Sequence, residues 1–390
     1  MVLVTSGRAG IIERMRSLVR ALALCALLFA PIEAAPGDGA PRRPAAEPIA
    51  TVASLAFHSN FWLNLHHVLY ADAWDRPPVV TGPARLAGES IHRQWTLDPE
   101  EAKAWQAAVD VYAEAYRHRD LLFDRGMTAI KMALGGASDD LASADIPADL
   151  RRALEQAAPV YRKHGWAADD LANRAWIARA VKHVGVLAPE VTEKLSRLFR
   201  TPWPSTAVRV DAVRVGNRQG AYTSIGPDWI VASTSNPSNQ DWAAAEIVFH
   251  ESSHLLIQPV VGALREAASR AHATPPAVLW HVVLFYVTGE VTRQALASRG
   301  IEYVPYLDKT GLFDRAWPSL RRPVESSVPD FIAGRITLDE MATRLVAAIG
   351  TPKGAGRIGP RRDRGGATIA RCQRNNIADR LLWLTQGQRT

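Results

Sequence analysis

Residues 250–254 read His250-Glu251-Ser252-Ser253-His254, inside the run AAAEIVFHESSHLLI. On a helix, residues four apart are offset by roughly 40° and about 6 Å along the axis. Two imidazoles at that spacing can point at one ion. Glu251 adjoins the first imidazole, close enough to reach a water polarised by that ion and take its proton as it attacks a carbonyl. This is the H-E-x-x-H pattern of zinc hydrolases. The surrounding sequence supports a helix: DWAAAEIVFHESSHLLI has no Gly or Pro before Pro259. Ser238 with Asp241 three residues on resembles a capping box. The strip Ala243, Ile247, His250, His254, Ile257 recurs at helical spacing.

A catalytic zinc usually takes three protein ligands and leaves one position for water. A third histidine six residues after the motif, with a glycine at the third, is excluded, because Val260 and Ile257 stand there. Glu266, His272, Glu290 and Glu302 remain by residue type. Glu290 is favoured. It lies in LWHVVLFYVTGEVTRQAL, apolar nearly all round and hence a buried helix, where a charged side chain needs a partner. Gly289 precedes it in mid-helix, at a cost of about 1 kcal/mol against Ala, which close approach of another helix would justify. His281 is nine residues earlier, about 180° around a straight helix from Glu290, and is set aside.

His250-Glu251-x-x-His254 followed by Gly289-Glu290 on a later helix resembles the gluzincin class of zinc metallopeptidases, the thermolysin-like arrangement. The resemblance covers about residues 205–310. It implies Zn2+ held by His250, His254 and Glu290, with Glu251 as base and proton shuttle. It also implies an edge strand before the motif helix, where an extended peptide binds. Members of the class often add a downstream Tyr or His to stabilise the oxyanion; Tyr303 and Tyr306 in IEYVPYLDKTG are the candidates here. The chain departs from the pattern at Gln294, where several members carry Asp, and in a longer gap from His254 to Glu290.

The elements that must position these residues divide the chain. Residues 1–35 read as a secretory signal: Arg14, Arg16 and Arg20, then the apolar run ALALCALLFA, then an Ile32-x-Ala34 exit. This predicts export, to the periplasm or outside the cell, with no stable membrane span after cleavage. Residues 36–50 are a Pro/Gly/Ala linker. Residues 51–204 form a helical half, beginning with a long amphipathic pattern over 51–73. That half also holds a second histidine cluster, His58, His66 and His67, readable as core residues, a cleft wall or a metal site. Residues 205–350 form the zincin-like half, in one compact unit with the first. There AVRVDAVRV alternates at period two and DWIVAST is strand-like, which predicts a small antiparallel sheet ahead of the motif helix. The fold class is α+β, mainly helical.

Residues 351–390 are basic, Gly-rich and without an apolar face, and read as a disordered tail. They hold nine basic and two acidic residues, the whole of the formal +7. Residues 51–350 carry 31 basic and 33 acidic residues, so the domain has no electrostatic footprint for nucleic acid. Without the signal only Cys372 remains, which excludes an intrachain disulfide and a cysteine-ligated zinc site. The sequence therefore points to an exported zinc metallopeptidase acting on peptide or protein. A zinc hydrolase of non-peptide amides or esters, and a binding or scaffold protein on a zincin-like frame, are the alternatives.

Overall fold

The computed structural model describes residues 47–75, 95–216 and 220–350, which fall in one compact unit. The signal, most of the linker and the basic tail lie outside the described residues. The architecture is α+β and mainly helical, around one five-stranded sheet. Among the described residues no helix is long and apolar enough to cross a membrane.

The sheet runs β1 (Ala50–Val52), β2 (Leu55–His58), β3 (Val208–Val213), β5 (Trp229–Ser233), β4 (Ala221–Ser224). The β2–β3 and β3–β5 pairs are parallel, and the β1–β2 and β4–β5 pairs antiparallel. The sheet is thus mixed rather than antiparallel. Its first two strands come from a stretch whose apolar pattern reads as helix. All four β2 residues are buried, so that strand lacks the alternation that marks a half-exposed one. The two-residue turn between β1 and β2 is made by Ala53 and Ser54, both at positive φ (49° and 64°). Gly or Asn usually marks such a turn, so nothing in the sequence announces it.

Alternation along β3 and β5 puts helices on both faces. Val208, Val210 and Ala212, with Ile230 and Ala232, enter a core shared with α5 (Ala167–Leu198), α6 (Trp242–Ser253), α7 (Gln258–Arg270) and α8 (Leu279–Ala297). The later helices α11 (Pro318–Ile332) and α12 (Leu338–Ile349) pack on the same core, after the short α9 (Tyr306–Lys309) and α10 (Leu312–Ala316). On the other face, Val213, Tyr222, Trp229 and Val231 meet α1 (Phe61–Asp75), α2 (Pro99–Val111), α3 (Arg125–Gly135) and α4 (Ala148–Tyr161). Helices α1 to α4 of the helical half therefore form one outer layer, whereas its last helix, α5, lies with the motif helix in the other. The longest helix, α5, runs unbroken for 32 residues and carries Pro189 inside it.

Candidate metal centre

Helix α6 is buried from Ala243 to Ser253, which explains why its apolar residues encircle it instead of forming a stripe. Its start differs from the expected capping box. Asp241 sits at φ 54° without a side-chain cap, and Asn236 caps the 3-10 turn Pro237–Asn239 just before it. The helix ends at Ser253, so His250 projects from its last turn and His254 is its C-cap. The two rings lie 5.0 Å apart and perpendicular.

The third imidazole beside them is His281, from the first turn of α8. Its Nε2 is 3.3 Å from Nε2 of His250. Ligand atoms of His250, His254 and His281 all lie within 4.8 Å of one another, the one such group among the described residues. Two nitrogens each about 2.0–2.1 Å from a tetrahedral ion stand about 3.4 Å apart, so the His250–His281 spacing suits a shared ion. Burial pushes all three imidazoles below their ordinary range, His281 to about 4. They are neutral at physiological pH, the form that binds a metal. Phe285, one turn beyond His281, stacks on His250 at 3.6 Å and fixes its ring.

Glu290 is not part of this group. Its carboxylate accepts from Arg293 Nε and Nη2 at 2.7 and 2.6 Å and from Gln294 Nε2 at 2.7 Å. Burial would raise its pKa, but these hydrogen bonds outweigh burial and hold it below the usual carboxylate value. The cause is the geometry of the helix. Residues nine apart face opposite sides of a helix, so only one of His281 and Glu290 can face α6. His281 is a polar group in the same apolar helix and needs a partner as much as Glu290 does. Gly289 does permit a close approach: a Cβ there would lie 2.9 Å from Glu246 Oε1, on α6, and 2.9 Å from Pro305. The other candidates also stay apart. Glu266 reaches Arg270 at 3.8 Å on the exposed side of α7, and His272 and Glu302 are exposed.

Glu251 is where the motif requires it. It is buried, and its Oε2 lies 2.6 Å from the Thr223 hydroxyl and 4.0 Å from His254 Nε2. Burial pushes its pKa up to about 7, against the Thr223 hydrogen bond and the charge of Lys131. Thr223 belongs to β4, an edge strand antiparallel to β5 whose four residues are all buried.

The two tyrosines separate. The Tyr303 hydroxyl donates to Glu246 Oε2 at 2.5 Å, so it is engaged by that buried carboxyl. The Tyr306 backbone N–H donates to the same carboxyl at 2.9 and 3.1 Å. The Tyr306 ring stacks against Phe285 at 6.0 Å and feels the charge of Glu251, which places it on the side of the imidazoles. Burial pushes Glu246 up to about 7 despite those hydrogen bonds. A carboxyl raised in the folded state stabilises below its unfolded pKa, near 4.5, and that contribution is lost as pH rises through about 7. Glu246→Gln should remove this slope, worth up to about 3 kcal/mol across the window. Urea midpoints of the two proteins from pH 4.5 to 7.5 check it; parallel curves would refute it.

The second histidine cluster holds no ligand group. His66 Nδ1 pairs with the Tyr112 hydroxyl at 2.8 Å, and His67 bonds Leu63 O and the Tyr222 hydroxyl at 2.8 and 3.0 Å. His58 lies on β2 rather than on their helix. All three are buried core histidines on the helical-half side.

The residues of the candidate centre differ in their exposure to solvent. His250 and Glu251 are buried, whereas His254 and His281 are partly exposed. Those two rings are flanked by Trp280, at 5.7 and 5.2 Å, and His281 also by Trp317, at 5.9 Å. Both indoles are themselves partly exposed. The converging set is three histidines, not the two histidines and glutamate of the gluzincin pattern. No protein-family model, curated protein or solved structure matches this chain.

Proposed function

We propose that this chain is an exported zinc-dependent hydrolase that cleaves peptide bonds, with zinc on His250, His254 and His281 and Glu251 as general base. The observation that carries the reading is the convergence of three neutral imidazoles, one buried and two half-buried, beside one buried carboxylate. Three neutral nitrogen ligands with a position left for water is a set that catalytic zinc takes, and zinc there would supply Lewis acidity toward a carbonyl oxygen. Glu251 takes a proton from the attacking water and returns it to the leaving nitrogen. The Thr223 hydroxyl orients that carboxylate, and Phe285 holds the His250 ring. A motif helix lying under a sheet with β4 at its edge is the zincin-like part of the reading.

Metal analysis tests the proposal first. The purified chain should take up one equivalent of zinc, and His250→Ala should lose it. A peptide-library digest should then show cleavage that a chelator abolishes. A protein that binds no zinc is a scaffold on this frame, and one that binds zinc but cleaves only non-peptide amides or esters corrects the substrate.

The partly exposed Trp280 and Trp317, backed by the buried Phe285 and Tyr306, make an apolar rim beside the imidazoles. Substrates with an apolar side chain beside the reacting carbonyl should therefore be preferred. Trp280→Ala and Trp317→Ala should each raise KM for such peptides by about tenfold, the weight of one lost apolar contact of this size. Steady-state kinetics against matched apolar and acidic peptides check this; unchanged KM ratios would exclude the rim from recognition.

A further inference from the structure

Alternate residues of a strand point to opposite faces, and β4 uses both. Thr223 meets Glu251 of α6 on one face, and Tyr222 and Ser224 meet the helical half on the other. From that half α3 sends Lys131, 1% exposed, to donate to Ser224 Oγ at 2.8 Å and to Trp229 O at 3.3 Å. Its ammonium also sits over the Tyr222 and Trp229 rings at 5.0 and 5.6 Å. One turn further along α3, a Cβ at Gly135 would collide with the Trp229 ring, so that glycine lets α3 lie close enough for Lys131 to reach the strand.

None of the hydrogen-bond partners of Lys131 is an anion, and a buried cation needs a counter-charge. The charged groups that act on it are Asp211, Glu251 and Arg209, with the neutral His67 and Tyr222 alongside. Asp211 is already engaged: Arg209 Nε and Nη2 donate to it at 2.7 and 3.1 Å, and Trp229 Nε1 at 2.5 Å. Glu251 has no such cation. Its only ion-pair neighbour among the described residues is His254 at 4.0 Å, which burial keeps neutral. Burial pushes Lys131 down to about 7, and Asp211 and Glu251 are what hold its charge on.

We propose that Lys131 is a positioning residue for Glu251: from the far side of the sheet its ammonium holds Ser224 and supplies the counter-charge that fixes the Glu251 carboxylate against Thr223. The catalytic part of this inference rests on Glu251 being the base; the charge pairing does not. It makes helix α3 of the helical half a working part of the centre.

The pairing is tested by carbon-13 NMR of the lysine Cε in the metal-loaded full chain, with Lys131 assigned from Lys131→Met or, if that variant misfolds, Lys131→Arg. In Glu251→Gln of matched metal content the Lys131 titration midpoint should fall by about one unit or more, since an opposite charge has been removed. An unmoved midpoint overturns the proposal whether or not a substrate is known. Kinetics test the positioning. Lys131→Met should keep its zinc and its KM while kcat drops about tenfold or more, and Ser224→Ala should show a smaller loss of the same kind. Wild-type kcat in Lys131→Met overturns the positioning role. A shifted midpoint in a protein that hydrolyses nothing leaves the charge pair standing and refutes the hydrolase reading instead.

Discussion

Replacing His281 with alanine should weaken zinc binding at least about a hundredfold, while Glu290→Ala leaves it nearly unchanged. Losing even an outer partner of a ligand typically costs 10–100-fold in affinity, and loss of one of three ligands costs more. The contrast between the two variants is the sharp part. Both residues lie on α8, nine apart, and a straight helix cannot turn both toward α6. Nε2 of His281 stands 3.3 Å from Nε2 of His250, whereas Glu290 is held by Arg293 and Gln294. Competition against a chromogenic chelator measures both affinities. A large loss in Glu290→Ala with little in His281→Ala would restore the two-histidine, one-glutamate set and refute the three-histidine centre.

Glu251→Gln should retain the metal and lose at least about a hundredfold in kcat, the low end of what a positioned base contributes. Glu251 is not one of the converging nitrogens, so glutamine in its place removes no ligand. Glutamine can still accept from Thr223 through its carbonyl oxygen but cannot take a proton from water. Zinc content and kcat measured on the same preparation separate the two roles. Loss of metal together with activity would make Glu251 a ligand, and full activity would remove it from the chemistry.

What could be read from the sequence was local. The spacing of His250, Glu251 and His254 lies within two turns of one helix, so helical geometry alone places them together. The alternation in β3 and β5 is likewise local, because one face of each strand meets one core and the other face a second. The near-neutral charge of residues 51–350 needed only counting.

What the sequence could not decide was which distant residues complete the centre. His281 and Glu290 satisfied the same argument, a polar group in an apolar helix. Only the rotation of α8 about its axis, set by Gly289 packing against Glu246 and Pro305, turned His281 inward. Tyr303 and Tyr306 were equivalent as loop tyrosines until the buried carboxyl of Glu246 took the hydroxyl of one and the backbone of the other. Strands β1 and β2 stayed hidden because a fully buried strand has no alternation and their turn has no glycine. Lys131 carried no signal at all: 120 residues separate it from Glu251, and the sheet between them brings the two charges together. Short-range periodicity is written in neighbouring residues, whereas partners across a layer depend on how whole elements rotate and pack.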